Sequence, residues 1–356
     1  MAGFSLVELL VGLLISMIGV LVIYQVFTVT QGYRRTSSSA GSAQENGGIG
    51  LYFIERDLRQ AGYGVQQSNV DFWGCTVRAQ DAARIPQAFM FTLNPLQIVQ
   101  GGLNGASHLP DTINIFYGNA RVQAAPAAVS PIGITGNANI QLNSSVAFNA
   151  DTAIPNNSDL FLIVQQGKDC SMSQVTATNN SASTNPCYSS TVTRICHNGA
   201  ARFTKSLDIA YDGNPSPKAS NAAFVYSLGN APTYKSYTIA GNPQRLTFTD
   251  LIFPENTGDV ADDIVNLQAQ YVFSDGQSRD AIPAGKTIKD VVAMKVAIVA
   301  RSNLLEKTAV TTSEIVIFPG TATSDEVKVV LSSDEQRYRY KSFQTIVPIR
   351  NMIWGS

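Results

Sequence analysis

Gly3-Phe4-Ser5-Leu6-Val7-Glu8 stands at the head of the chain, and the 25 residues after it, Leu9 to Tyr33, carry no charge. A helix rises ~1.5 Å per residue, so about 20 apolar residues cross a ~30 Å hydrocarbon core. This run is long enough. Glu8 sits at its mouth, where a carboxylate costs a few kcal/mol unless it is paired or reaches the headgroups. Two readings stay open: a bystander that snorkels to the surface, or a charge kept for a partner.

The string resembles the type IV prepilin signature: a small residue, then Phe, a short apolar stretch, and Glu as fifth residue of the mature chain. The resemblance implies cleavage between Gly3 and Phe4 by a prepilin peptidase, with methylation of the new α-amino group at Phe4. It also gives Glu8 a role in assembly. The cationic amine of Phe4 in a neighbouring subunit is its natural partner, and a low dielectric strengthens the pair. A subunit stored in the membrane would thereby be drawn into a filament in register. The leader Met1-Ala2-Gly3 departs from the pattern, because it has no Lys or Arg and the first basic residues are Arg34 and Arg35. Prepilin leaders carry basic residues that keep the N-terminus cytoplasmic. A start upstream, or a trimmed or rebuilt N-terminus, is therefore expected, and orientation rests on the motif.

The expected organisation is a leader at 1–3, a transmembrane and filament-core helix at 4–33, and a second helical half at 34–62 that docks on the domain. A β-rich globular domain follows at 63–356, with a disulfide-tied loop at 165–200. Ser37 to Gly48 is rich in Gly and Ser, and interior glycines cost roughly 1 kcal/mol relative to Ala, so a flexible or melted middle is expected there. Leu51, Ile54, Leu58 and Ala61 recover a helical face. Glu55, Arg56, Asp57 and Arg59 are placed on the other side, and Gly62 ends the helix.

Beyond Gly62 the text changes to short strands and turns. Thr112–Tyr117 alternates, Leu160–Val164 is wholly apolar, and Leu267, Ala269, Tyr271 and Phe273 alternate with polar residues before an Asp275-Gly276 turn. Asp290 to Arg301 is apolar on both faces, as a central strand is. Arg337 to Pro348 closes the sheet. No internal repeat is visible.

With 356 residues, 14% charged and a net charge of −1, the chain lacks the basic surplus that drives nucleic-acid binding. Its four cysteines, Cys75, Cys170, Cys187 and Cys196, favour two disulfides in an exported chain. Three pairings are possible; Cys187–Cys196 as a local clasp and Cys75–Cys170 as a long staple is the favoured one. The chain has two histidines, His108 and His197, and no C-x-x-C, which argues against zinc. Asp259, Asp262 and Asp263 could supply oxygen ligands to calcium, but they lack the spacing of a calcium loop and read better as solvated charges. Neither a metalloprotease motif, a nucleophile elbow nor a phosphate loop is present, so neither catalysis nor a cofactor is expected.

Glu55 to Gly64, the closing segment Arg337 to Phe343 with Val347-Pro348-Ile349-Arg350-Asn351, and Asp169-Cys170 are similar to minor pilins of the PilW type. That resemblance implies an α+β, type IV pilin-like fold, in which a long N-terminal helix packs on a β-rich domain like that of the J-type minor pseudopilins. It implies a minor pilin that helps to initiate a type IV pilus at the filament tip. The implied partners are the prepilin peptidase, other minor pilins, the major pilin and a tip adhesin. The protein would sit in the bacterial inner membrane with its domain in the periplasm, and later at the pilus tip on the cell surface. Two alternatives stand beside this reading: a minor pseudopilin of type II secretion, and a membrane-anchored binding protein (an adhesin) or hydrolase.

Overall fold

One helix, α1, runs without interruption from Leu6 to Leu58. Its 53 residues span about 80 Å. The first proline is Pro86, so nothing in this stretch removes a backbone donor. Arg59 caps the helix, and Gly62 turns the chain with φ 76° while its N–H donates to Phe116 O at 2.8 Å. The computed structural model describes residues 5–65, 72–121, 126–130, 139–151, 157–178, 187, 189, 192–197, 201–203, 211, 222–321 and 324–353.

The expected melted middle is overturned. Ser39, Ala43, Gly47, Gly50, Ile54 and Leu58 are all buried along one face. Their spacing of three or four residues is that of a single stripe. A Cβ at Gly47 would stand 2.1 Å from the Phe343 ring, and one at Gly50 would stand 3.1 Å from Ile298. The small residues that lower helix propensity here are what let the helix lie directly on the sheet.

The main strands are β1 (Thr76–Gln80), β2 (Ala88–Thr92), β3 (Leu96–Val99), β4 (Thr112–Tyr117), β5 (Leu160–Val164), β6 (Cys170–Gln174) and β7 (Phe224–Gly229). They continue as β8 (Thr233–Ala240), β9 (Arg245–Asp250), β10 (Thr257–Asp262), β11 (Ile264–Phe273), β12 (Val291–Arg301), β13 (Glu314–Phe318), β14 (Val327–Val330) and β15 (Tyr340–Pro348). One sheet has the order β2-β1-β6-β5-β7 and ends on Ala127–Ala128; a second has the order β10-β9-β8-β4-β3. The third runs from Ser278–Arg279 through β11 and β12 to β15. β1 and β6 pair in parallel, with Val77 opposite Cys170.

These sheets sort alternating side chains into separate cores. On β4, Ile113, Ile115 and Tyr117 join Ile54 and Leu58 of the helix, while Phe116 points into a second core with Leu160, Leu162 and Val164. On β5, Phe161 and Ile163 face a third core with Ile140 and Ile195. β12 is central, between β11 and β15, with Met294, Val296 and Ile298 toward the helix and Ala297 and Val299 beneath the β13–β14 hairpin.

Two further expectations are corrected, and one strand carries buried polar residues. Residues 165–200 are not one long loop: Cys170–Gln174 is a buried strand of the first sheet, and Ala177–Thr178 and Arg194–Cys196 pair in a small sheet of their own. Asn266, Gln268 and Gln270, the polar residues that alternate with the apolar ones on β11, are buried. Asn266 donates to His108 O at 2.9 Å and Gln268 to Leu109 O at 2.7 Å, so a covering loop satisfies them. Finally, Glu335–Arg337 is a turn of 3-10 helix, and the last strand begins at Tyr340.

Candidate functional site

Among the described residues, the side chains along the first half of α1 are exposed. Leu9, Leu14, Leu21 and Phe27 are each more than half exposed, and among the described residues this is the helix long and apolar enough to cross a membrane. Glu8 occupies the third helical position, and its Oε2 accepts the Ser5 backbone N–H at 3.0 Å. An acidic group there satisfies a free donor and complements the positive end of the helix dipole. Glu8 thus caps its own helix in the single chain. Gly3 and Phe4 lie outside the described residues.

The second half of α1 is welded to the domain. Its small-residue stripe seats on β15 and β12, and Asp57 closes the far end. Asp57 is fully buried, not on an exposed face as its neighbours suggested. Its Oδ2 accepts from Lys235 Nζ at 2.7 Å and from Tyr237 Oη at 2.6 Å, and Arg56 pairs with Oδ1 at 3.0 Å. Burial, then the adjacent Asp57 charge, raises the Tyr237 hydroxyl above its ordinary value and pushes Tyr117 up to about 12. Both phenols therefore stay protonated, and Tyr237 donates to the carboxylate. The anion is met by two cations and a hydroxyl, as a buried charge requires.

Cys75 is bonded to Cys170, and Cys187 to Cys196. The first joins the residue ahead of β1 to the first residue of β6, clamping the parallel pair. The second sits beside the small sheet.

Asp259 and Asp262 pair with Arg245 at 2.5 and 3.8 Å, and Asp263 faces Arg301 at 3.7 Å. The three aspartates are thus spent on arginines. His108 Nδ1 accepts from the Lys328 N–H at 3.3 Å, tying a surface hairpin to β14. His197 is buried against Phe161, and burial lowers its pKa.

A cleft of about 570 Å³ opens between Arg84, Phe89, Arg202 and Glu255. Its charges serve one another. Buried Asp81 accepts from Arg202 at 2.6 and 2.7 Å and from Arg84 at 3.2 Å, while Arg202 also donates to Glu255. Burial alone would raise the Asp81 carboxyl, but these arginines and the Ala83 N–H hold it below the usual carboxylate range. Arg84 donates in addition to Leu251 O and Ile252 O, which fixes the cleft wall.

Sequence reasoning missed the Asp57–Lys235–Tyr237 cluster and the Asp81 network. The only available signal for the first was position: Asp57 lies three residues after Ile54 and next to Leu58, within the buried arc rather than opposite it. The Asp57 cluster and the small-residue stripe together fix the second half of α1 to the domain. Neither a protein-family model, nor a curated protein, nor a solved structure matches this chain.

Proposed function

We propose that the chain is a minor pilin subunit of a type IV pilus, of the PilW type, that helps to prime assembly at the filament tip with other minor pilins. The observation that carries this reading is the division of α1. One half is bare and apolar with Glu8 at its tip, and the other is locked to a disulfide-bonded β domain. A mere tether needs no such lock. A subunit pulled by its helix into a filament does, because the domain must follow without rotating. The bare half would be solvated by lipid before assembly and by neighbouring helices after it. The paired cysteines fit a domain held in an oxidising compartment such as the periplasm.

On this reading the protein is structural rather than catalytic. Its partners are the prepilin peptidase, the major pilin, other minor pilins and a tip adhesin. A minor pseudopilin of type II secretion would use the same geometry, and deletion distinguishes the two, since one loses pili and the other loses secretion.

Processing tests the proposal. Co-expression with a prepilin peptidase should yield a mature N-terminus at Phe4, read by mass spectrometry, and Gly3→Leu should block it. An intact chain, or cleavage beyond the apolar run, contradicts the pilin reading.

A further inference from the structure

Lys341 donates to Gln44, Phe343 packs on Gly47, and Asn351 reaches Gln60 O and Ala61 O at 3.3 and 3.0 Å. β15 therefore runs away from the apolar half of α1. The segment that joins β12 to β15, residues 302–339, begins and ends at the near side of the domain. Its first part reaches farthest toward the apolar run: Asn303 accepts from Ser39 Oγ at 3.1 Å, and Glu306 from Thr36 Oγ1 at 3.1 Å.

Tyr33, the last residue of the uncharged run, is three positions before Thr36, so the Glu306 contact lies about 5 Å beyond the end of that run. A headgroup layer is roughly 5–7 Å deep on each side of the hydrocarbon core. With Tyr33 at the hydrocarbon boundary, where tyrosine rings concentrate, the loop is held at headgroup height. Its shape is fixed from behind, because Arg339 pairs with Glu306 at 3.0 Å and the Glu306 N–H donates to Arg337 O. Facing outward are Leu305 and Val310, each 38% exposed, with Lys307 between them and Arg34 on the helix. Among the described residues neither Lys307 nor Arg34 makes an ion pair.

We propose that Ser302–Val310 is a second membrane contact, which lays Lys307 and Arg34 on the phosphates of anionic lipid and sets Leu305 and Val310 at the interface. The domain then stands on the bilayer in one orientation instead of swinging about the helix. The proposal rests on the membrane-spanning reading of α1 but not on the pilin reading, whose test is processing at Phe4. Each basic residue at an anionic surface is worth roughly fivefold in partitioning, and the gain is screened by salt.

The test places the full chain in lipid nanodiscs with an environment-sensitive fluorophore at Val310→Cys; the four native cysteines are paired and do not compete. In discs of phosphatidylcholine containing phosphatidylglycerol, spin-labelled lipid should quench the dye and aqueous iodide should not. Phosphatidylcholine alone, or Arg34→Glu with Lys307→Glu, should restore iodide quenching several-fold. High salt on the otherwise unmutated chain should do the same, so the result does not depend on the charge variants folding. Equal iodide quenching in both lipids overturns the proposal. So does protection that grows with protein concentration in neutral lipid, since that marks contact between copies.

Discussion

Asp57 Oδ2 lies 2.7 Å from Lys235 Nζ, with the Asp57 side chain wholly excluded from water. The bond joins the last turn of α1 to β8, a strand 178 residues further along the chain. Its energy matters less than its uniqueness of position. A slide of one turn would strand this carboxylate away from Lys235 and Tyr237, and would bring a side chain against Phe343 where Gly47 now lies.

Removing Lys235 leaves the buried Asp57 carboxylate with Arg56 and Tyr237 only, and removing Asp57 leaves Lys235 without its anion; the upper bound for such a loss is about 3–5 kcal/mol. Asp57→Leu or Lys235→Met alone should each destabilise the full chain in detergent by no more than that, measured by denaturant titration. The double variant should recover a large part of the loss, and Tyr237→Phe should cost about 1 kcal/mol. Simple additivity of the two single variants would contradict a coupled pair.

Gly47 and Gly48 are adjacent and should behave oppositely. A Cβ at Gly47 meets the Phe343 ring, whereas one at Gly48 meets nothing within 4 Å. Gly47→Val should cost about 1–3 kcal/mol by overpacking, relieved in part by Phe343→Ala. Gly48→Ala should stabilise by up to about 1 kcal/mol through helix propensity. Melting temperatures of the two variants check this directly.

That pair of glycines also marks where the sequence stops being legible. The apolar run, the β-rich remainder, the central strand at Val291–Arg301 and the favoured cysteine pairs could all be read from local pattern. The Gly/Ser stretch could not, because propensity describes an isolated helix and this one is held by a sheet whose closing strand comes about 300 residues later. The burial of Asn266, Gln268 and Gln270 was not legible for a related reason. A polar residue on an alternating strand signals water unless some distant backbone supplies its hydrogen bonds, and here the Leu109 loop does so. Glu8 stands out in the sequence as the charge at the mouth of the apolar run, but its bond to its own Ser5 N–H was not drawn from the sequence.

The two disulfides should differ in worth. Loop closure over 95 residues is worth about 4–5 kcal/mol to Cys75–Cys170, and over 9 residues less than about 3 kcal/mol to Cys187–Cys196. Pairwise replacement by Ser, followed by thermal melting, should rank them in that order. Alkylation without reduction should label no cysteine in the native chain.

Asp111 gives a pH signature. Burial pushes its carboxyl up to about 6, although the Gly101 and Ala269 N–H groups favour the charged form. Between its unfolded value of 3.8 and about 6 the native state holds the extra proton, so this group's contribution to stability falls as pH rises through that window. The cost is complete above about 6. Asp111→Asn should remove this component, so the wild type should lose stability relative to the variant from about pH 4 to 6. Parallel pH curves would contradict the raised value.

Glu8 tests the proposed assembly role most directly, because two substitutions separate the helix cap from the proposed charge pair. Glu8→Gln keeps a side chain able to cap the Ser5 N–H but removes the charge; Glu8→Leu removes both. If the charge pairs with the Phe4 amine of an adjoining subunit, both variants should be cleaved, inserted and folded at wild-type level. Both should then be lost from sheared filaments, since an unpaired buried charge at about 3–5 kcal/mol lowers occupancy more than a hundredfold. The measurement is the ratio of filament-borne to membrane-borne protein for wild type, Glu8→Gln and Glu8→Leu in the same cells. A ratio that collapses for both supports the pair, whereas a normal ratio for Glu8→Gln would reduce Glu8 to a helix cap and take the assembly role away from it.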